Sequence, residues 1–312
     1  MRRARRMLLW LAGALLLAAI AAGASLYTPD ADRAALEAAH APPPSRFVDV
    51  AGLRVHLRDT GPRDGPAVLM LHGFGASLHT WEGWAAGLED RFRVIRLDLP
   101  GFGLTGADPS GDYTDARGVA VLAALLDALG IQQAAVIGNS LGGRLAWRLA
   151  LAHPARVTRL VLVAPDGFAE PGRSYGEREG APLMMRLLPL SLPRGMLRDT
   201  LAAAYGDAAR LTEGELARTY ELMRAPGVRS AMVARMDQRM LEDPRPLLAR
   251  LTQPVLLLWG ERDRIIPASH ARDWLAVLPE ARHVELPGLG HVPQEEDAAQ
   301  SLPPVRAFLE AR

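Results

Sequence analysis

The sequence predicts an α/β fold in which a mostly parallel sheet is flanked by helices and carries an inserted helical cap. Apolar strand patterns alternate with helical patterns from residue 67 onward, and strands that are apolar on both faces are typical of a parallel sheet covered by helices. The long interval between Val163 and Val255 shows helical periodicity and no strand pattern. We interpret that interval as a cap inserted between two halves of the core.

The individual elements follow from local patterns. Two alternating segments, 47–50 and 53–57, are joined by Ala51-Gly52, which is a hairpin signal. The apolar strands that follow are predicted at 67–71, 94–97, 134–137, 157–163, 255–259 and 283–286. The covering helices are predicted at 80–88, 113–129, 141–153, 268–278 and 295–310, and the cap helices at 195–205, 212–223 and 230–241.

Composition excludes several classes of function. The 312-residue chain has a net charge of +1, which gives no reason to expect a nucleic-acid partner. It has no cysteine, so disulfides, thiol catalysis and cysteine-ligated metals are excluded. All 36 basic residues are arginine, which excludes a Schiff-base lysine and a P-loop lysine. No metal and no cofactor is predicted, and the sequence does not indicate an oligomeric state.

The N-terminus predicts a membrane segment. Residues 1–6 carry four arginines, and residues 7–26 contain no charge. Twenty residues of helix extend about 30 Å, enough to span the hydrocarbon core of a bilayer. The positive-inside rule then places the rest of the chain on the non-cytoplasmic side, periplasmic or extracellular. The alternative is a signal peptide cleaved near Ala24, which would release a secreted protein.

These observations divide the chain into four parts. Residues 1–26 form the anchor or signal segment. Residues 27–45 end in three consecutive prolines, which are typical of a semi-rigid spacer. Residues 46–165 and 251–312 form the α/β core, and residues 166–250 form the helical cap.

The chemistry is organised around Ser140. It lies in Gly138-Asn139-Ser140-Leu141-Gly142, at the junction between an apolar strand and a helix. This Gly-x-Ser-x-Gly pattern is typical of a nucleophile elbow, a tight turn that exposes the serine above the sheet. The two glycines leave room where side chains would collide. We therefore predict that Ser140 is a catalytic nucleophile.

A serine hydroxyl needs a base, and the base needs an acid that orients it. His291 follows the last predicted strand, and Asp263 follows the strand before it. Both loops lie at the carboxyl ends of strands, where open α/β sheets place their sites. We predict His291 as the base and Asp263 as the acid. Glu261 and Asp166 are the alternatives for the acid.

The loop that begins at His72 supplies the remaining part of the site. Its glycine turn follows a neighbouring strand, and we assign the oxyanion hole to the backbone N–H groups of Phe74 and Leu141. His72, Gly73 and Asn139 are expected to contact the substrate. Elsewhere in the sequence, Asp98 is expected to be structural, and His56 is expected to be a surface or cross-strand residue.

Five sequence stretches carry a resemblance to a known family. HGFG at 72–75, DLPGFG at 98–103, GNSLGG at 138–143, GERDRIIP at 260–267 and GHVPQEE at 290–296 occur in this order. Together they resemble the capped α/β-hydrolase fold superfamily, over roughly residues 46–312. The resemblance implies an eight-stranded sheet, a Ser-His-Asp triad and hydrolysis through an acyl-enzyme.

The resemblance leaves the substrate open. We expect a serine hydrolase of carboxylic esters, acting on a small-molecule ester or related acyl compound. GNSLGG also resembles the meta-cleavage-product hydrolases, which break a carbon–carbon bond, although those enzymes usually carry Trp where this chain has Val292. Relatives with an aspartate nucleophile, such as epoxide hydrolases, differ at Ser140. A non-catalytic, membrane-tethered binding protein on the same fold is the alternative from another class.

Overall fold

The computed structural model describes residues 26–311 except 170, 171 and 179, together with Arg3, Trp10, Leu11 and Gly13. Within that part of the chain, no helix is both long enough and apolar enough to cross a membrane. The predicted anchor at residues 7–26 lies outside the described residues apart from positions 10, 11, 13 and 26.

The core is an eight-stranded sheet, which confirms the prediction of a mostly parallel sheet. Its strands are β1 (Ser45–Val50), β2 (Leu53–Thr60), β3 (Ala67–Leu71), β4 (Arg93–Leu97), β5 (Ala134–Asn139), β6 (Val157–Val163), β7 (Val255–Gly260) and β8 (Arg282–Leu286). Their spatial order is β1-β2-β4-β3-β5-β6-β7-β8. β2 runs antiparallel to β1 and β4, and every other neighbouring pair is parallel.

The α-helices of the core cover both faces of this sheet. They are α2 (Glu82–Ala86), α3 (Asp115–Ala128), α4 (Leu141–Ala152), α10 (Ala271–Val277), α11 (Pro293–Glu296) and α12 (Ala298–Glu310). Short 3-10 turns lie at Leu78–Trp81, Pro154–Arg156, Ala208–Arg210 and Ala268–His270. Along β3, Leu69 and Leu71 belong to one buried apolar cluster, and Val68 and Met70 belong to another. Because alternate residues of a strand point to opposite faces, apolar cores lie on both sides of the sheet.

The cap lies between β6 and β7. Its helices are α5 (Leu183–Arg186), α6 (Arg194–Ala204), α7 (Glu213–Met223), α8 (Val228–Gln238) and α9 (Arg245–Leu248). Thr212 begins α7 with a capping box, in which the Thr212 side chain accepts from the backbone N–H of Glu215 and the Glu215 side chain accepts from that of Thr212. The apolar residues of the interval thus form helices, as their periodicity predicts.

The structure corrects the prediction of a spacer at residues 27–45. This stretch contains a helix, α1 (Arg33–His40), whose N-terminus is capped by the Asp32 side chain. The His40 side chain lies 2.7 Å from a Glu221 carboxylate oxygen of α7, and the N–H of Ala31 donates to Arg224 O. The stretch is therefore attached to the cap. Its three prolines mark only the end of the stretch, before β1, and composition alone did not reveal the helix.

Candidate active site

Ser140 lies in a strained turn between β5 and α4. Its backbone has φ 53° and ψ −115°, a left-handed φ that residues with a side chain rarely adopt. A Cβ added at Gly138 would lie 2.3 Å from Gly142 O, and one added at Gly142 would lie 2.0 Å from Leu71 O. Both glycines are therefore needed for the close approach of α4 to β3 and β5. This geometry is that of a nucleophile elbow.

The His291 ring is paired with the carboxylate of Asp263. Nδ1 of His291 lies 2.7 Å from Oδ2 of Asp263, and both side chains are buried. Oδ1 of Asp263 accepts hydrogen bonds from the backbone N–H groups of Ile265 and Ile266. Because an ionised carboxylate only accepts hydrogen bonds, we assign the Nδ1 proton to the histidine. Nε2 is then the ring nitrogen that can take a proton from a nucleophile.

The two alternative acids have other partners. Asp166 accepts from the Arg239 guanidinium at 2.6 Å, and Glu261 accepts from the N–H of Gly288. Neither carboxylate contacts His291 among the hydrogen bonds of the described residues. The geometry therefore favours Asp263 as the orienting acid.

Asn139 connects the elbow to the histidine loop. Its Nδ2 donates to the carbonyl of His291 at 2.9 Å and to that of Val163 at 3.1 Å. Within the described residues, no hydrogen bond joins Ser140 Oγ to the His291 ring, and such catalytic contacts often tighten only when substrate is bound. Asn139, predicted to contact the substrate, has a buried side chain that is not part of the lining of the cavity at Ser140. Its hydrogen bond holds the backbone of His291 next to the elbow.

A buried glutamate also holds the histidine loop. Oε2 of Glu296 accepts from the N–H groups of Gly290 and Gly206, and Oε1 accepts from that of Asp207, at 2.7 to 2.9 Å. The N–H of His291 itself donates to Ala204 O at 2.7 Å. Ala204 ends a cap helix, so His291 is attached directly to the cap. Sequence patterns carry no signal for this role of Glu296, because its partners are backbone groups and two of the three are distant in sequence.

Replacing Glu296 with glutamine is expected to lower kcat for an ester by about 10- to 100-fold, with little change in KM. A glutamine amide has only one acceptor oxygen for the three backbone N–H groups. Its NH₂ group would face one or more of these donors, so their hydrogen bonds to the side chain would be lost. Steady-state kinetics compare this variant with Glu285→Gln, which makes the same change at an exposed position of β8. Wild-type kcat in Glu296→Gln would show that the loop holds its position without this carboxylate.

The buried His72 ring connects the predicted oxyanion loop to the loop that follows β4. Its Nε2 accepts from the N–H of Leu99 at 2.9 Å, and its Nδ1 lies 2.7 Å from Gly73 O. Burial lowers the pKa of His72, which favours a neutral ring that donates from Nδ1 and accepts at Nε2. Both ring nitrogens of His72, predicted to contact the substrate, are thus engaged within the protein, and the residue is not part of the lining of the cavity at Ser140.

Gly73 does not line the cavity either. A Cβ added there would lie 3.0 Å from Asn139 Oδ1 and 3.4 Å from Ser140 Cβ. Its role is to allow the loop to pass close to the elbow. Phe74 and Leu141, the predicted oxyanion donors, do line the same cavity as Ser140. Leu141 begins α4, where the backbone N–H groups have no carbonyl partner within the helix.

Asp98 anchors two loops beside this site. The carboxylate is fully buried and accepts from the N–H groups of Leu78 and Leu104, and Oδ2 lies 2.8 Å from Nδ1 of His56. Burial alone would raise the pKa of Asp98, but the attraction and hydrogen bond of His56 lower it to about 2. This confirms the structural role expected for Asp98. His56, expected as a surface or cross-strand residue, is buried and pairs across the strands with Phe47 of β1.

We expect Asp98→Asn to lower the free energy of unfolding by about 3 kcal/mol near pH 7, because one amide oxygen replaces two acceptors in a buried site. The pKa of Asp98 is lower in the folded state than in the unfolded chain, where it is about 4. Its contribution to the free energy of unfolding is therefore complete above pH 4 and is lost as the pH falls towards 2. Urea unfolding should therefore show a constant difference from wild type between pH 5 and 8. Below about pH 4 the difference should shrink. Exposed Asp64→Asn is the control, and a difference that grows with acid would contradict this account.

The cavity in front of Ser140 has a volume of about 550 Å³. The apolar part of its lining is formed by Phe74, Leu141, Phe168, Met236, Met240, Leu241, Ile265 and Ile266. The charged part of its lining includes Asp115, Arg144, Arg148, Asp166, Arg178, Arg235, Arg239 and Glu242. Ion pairs join Arg144 with Asp115 and Asp166, Arg148 with Asp115 and Glu242, and Arg239 with Asp166. Sequence patterns did not predict this charged lining.

Arg235 contributes to this charged lining from the cap helix α8. Its guanidinium donates to the carbonyls of Pro100 and Tyr113, and it lies over the rings of Phe102 and Tyr113. Burial lowers the pKa of Arg235 to about 10, so it stays charged at neutral pH. Among the described residues, no group of three or more His, Asp or Glu side chains is arranged to hold a metal ion.

Comparisons with known proteins agree with the fold. A family model described as the alpha/beta hydrolase fold matches residues 66–298. The chain is 34% identical over 259 residues to the dihydrolipoyllysine-residue acetyltransferase component of an acetoin cleaving system from Cupriavidus necator, a match that covers 81% of this chain and 66% of that protein. It therefore spans slightly less than two thirds of that relative's length.

Two further relatives match nearly their whole length. A 2-hydroxy-6-oxo-6-phenylhexa-2,4-dienoate hydrolase from Burkholderia cepacia is 30% identical over 273 residues, which cover 81% of this chain and 92% of that protein. The crystal structure of a membrane phospholipase A, described as a bacterial virulence factor, is 27% identical. It superposes with a TM-score of 0.74 over 99% of this chain and 98% of that one.

Proposed function

Because the chain belongs to the α/β-hydrolase fold family, we propose that it is a serine hydrolase that cleaves carboxylic esters through an acyl-enzyme. The observation that carries this proposal is the position of Ser140, which lies in a strained elbow and faces a cavity of about 550 Å³. Beside it, a buried His291 is hydrogen-bonded to Asp263. This arrangement supports acyl transfer, since it supplies a nucleophile, a base and an orienting acid.

In the proposed mechanism, Ser140 Oγ attacks the carbonyl carbon of the ester while His291 Nε2 takes the hydroxyl proton. The N–H groups of Phe74 and Leu141 stabilise the oxyanion. His291 then returns the proton to the leaving alcohol, and the acyl group stays on the serine. Water activated by His291 attacks the acyl-enzyme, which releases the acid and restores Ser140. Asp263 stabilises the imidazolium in both halves of the reaction.

Carbon–carbon bond hydrolysis is the second candidate. Its support is the similarity to the Burkholderia cepacia hydrolase and the residue pair Asn139-Ser140 within GNSLGG. The arginines in the lining of the cavity also suit a carboxylate such as that of the dienoate in the relative's name. Those enzymes usually carry Trp where this chain has Val292, and this difference argues against carbon–carbon bond hydrolysis.

The test is hydrolysis by the full chain in detergent of two substrate sets, p-nitrophenyl esters from acetate to palmitate and 2-hydroxy-6-oxo-6-phenylhexa-2,4-dienoate. Ester turnover that disappears in Ser140→Ala supports the leading proposal, and the preferred chain length reports the depth of the pocket. Turnover of the dienoate alone would replace it with the second candidate. Inactivity on both sets, with no reaction towards a fluorophosphonate probe, would favour a binding protein.

We also propose that residues 7–26 anchor the chain in a membrane and hold the enzyme on the non-cytoplasmic side. The support is the uncharged twenty-residue segment behind four arginines, together with the similarity to a membrane phospholipase A. Sequencing the N-terminus of the mature protein and extracting membranes with alkaline carbonate test this proposal. A mature chain that begins at Ser25 would mean a cleaved signal and a secreted enzyme.

A further inference from the structure

Large apolar side chains are exposed at two places on the body of the protein. Phe74, Met240 and Ile265 line the cavity in front of Ser140. In the described part of residues 26–311, the other exposed large apolar side chains fall into two groups. One group precedes α1 and comprises Leu26 and Tyr27, and the other lies in one stretch of the cap and comprises Leu183, Met184, Leu187, Leu190 and Met196. Solvent-exposed apolar clusters of this kind mark interaction sites more often than scattered single residues do.

The cap residues of this group share one face of a helical turn. Leu183, Met184, Leu187 and Leu190, which we call the apolar cap turn, are 77%, 63%, 50% and 58% exposed. Their spacing of three and four residues places them side by side. α5 and the turns after it follow a helical path, since Leu187 N donates to Met184 O and Leu190 N donates to Leu187 O.

The apolar cap turn is attached to α8, a cap helix that contributes to the lining of the cavity. Oδ1 of Asp237 accepts from the N–H of Ala181 at 2.8 Å and from the Arg186 guanidinium at 2.7 Å. The neighbours of Asp237 in α8, Met236 and Gln238, both line the cavity in front of Ser140. A surface that binds the apolar cap turn therefore lies near α8, the helix whose Met236 and Gln238 line the cavity.

The N-terminal segment joins the body at the same turn. The N–H of Thr28 donates to Leu190 O at 2.9 Å, and the Thr28 hydroxyl accepts from the N–H of Leu192 at 3.0 Å. Tyr27 and Leu26, immediately before, are exposed. The uncharged residues 7–26 thus end beside the apolar cap turn, so a bilayer that holds this segment must lie close to the turn.

We propose that the apolar cap turn docks on the surface of the lipid bilayer that holds the N-terminal segment. Apolar side chains on a helical turn insert at the boundary of headgroups and acyl chains, and Tyr27 is a residue type that favours this interface. A stable dimer buries about 800 Å² on each partner, more than four aliphatic side chains provide. The proposal rests on the proposed anchoring. If the turn docks on the bilayer, the cavity lies close to the membrane surface. The proposed substrate class is therefore an ester embedded in the membrane.

The absence of cysteine from the chain allows a clean test with single labels. Met184→Cys and the control Asp64→Cys, in the loop between β2 and β3, each carry a fluorophore on the full chain. The chain is reconstituted in phosphatidylethanolamine and phosphatidylglycerol vesicles that contain nitroxide-labelled lipid. We expect quenching at position 184 to exceed that at position 64 by about twofold or more. p-Nitrophenyl acetate hydrolysis, measured on the same samples, reports the proposed hydrolase activity independently.

The other outcomes overturn the docking proposal in distinguishable ways. Equal quenching at both positions, in protein that resists carbonate extraction, would refute docking and leave anchoring intact. Protection of position 184 from aqueous iodide without lipid quenching would mean that the N-terminal segment covers the turn. The same protection, if it disappears on dilution of the protein in lipid, would mean that a second copy covers it. Release by carbonate would refute anchoring and docking together.

A second variant connects docking to activity. Leu183→Asp with Leu187→Asp places charges on the apolar cap turn and changes no residue that lines the cavity. We expect this double variant to hydrolyse an ester lipid in the vesicles about tenfold more slowly, while p-nitrophenyl acetate hydrolysis in solution is unchanged. Equal loss on both substrates would indicate damage to the fold, and no loss on either would mean that docking does not deliver substrate.

Discussion

Replacing Ser140 with alanine is expected to lower kcat for p-nitrophenyl esters by about 10⁴-fold or more, since removal of a triad nucleophile removes the covalent route. The cavity, the His291–Asp263 pair and the predicted oxyanion donors remain in place. Stability should change little, because alanine has the same backbone restriction as serine at φ 53°. Initial rates and thermal unfolding of the two proteins measure both expectations.

The control for this variant is Ser174→Ala, at an exposed serine of the cap. It should keep the wild-type rate. A Ser140→Ala enzyme that retains more than about a tenth of the activity would show that another group attacks the substrate.

Replacing Asp263 with asparagine is expected to lower kcat by about 10⁴-fold while the fold is kept. An asparagine that kept its oxygen towards the Ile265 and Ile266 N–H groups would turn its NH₂ towards the His291 ring. Nδ1 would then accept a hydrogen bond and the ring proton would move to Nε2. In that tautomer the histidine cannot take the proton of Ser140.

Two carboxylates serve as controls, and kcat is measured for each variant across the pH range. Asp166→Asn and Glu261→Gln remove the other acids that the sequence offered. We expect both to keep kcat within about tenfold of wild type, because their side chains are held by Arg239 and by Gly288. A loss of about 10⁴-fold in Asp166→Asn, with Asp263→Asn active, would reassign the orienting acid.

The core of the fold is predictable because its signals are local. Strands such as 67–71 and 255–259 are apolar on both faces, and that pattern requires layers of helix above and below the sheet. Ser140 is marked by two glycines that the elbow needs for steric reasons. His291 and Asp263 follow strands whose carboxyl ends meet at one edge of the sheet, so their proximity follows from topology.

The contacts that the sequence did not predict involve partners distant in the chain. His56 pairs across the strands with Phe47, as one of its two alternatives predicts, but its ring also contacts Asp98, 42 residues away in sequence. His72 and Asn139 lie beside the expected site, but their side chains turn inward to Leu99 and His291. The helix at 33–40 is stabilised by contacts with the cap. Composition and spacing carry no signal for such contacts.

The central claim is that Ser140 is the nucleophile, activated by His291 and Asp263. The most direct measurement is reaction of the full chain with a fluorophosphonate probe, followed by peptide mass spectrometry. The account predicts one probe per chain, bound to Ser140, and labelling that becomes much slower in Asp263→Asn and in His291→Ala. Failure of the wild-type protein to react, or covalent labelling at another residue, would contradict it.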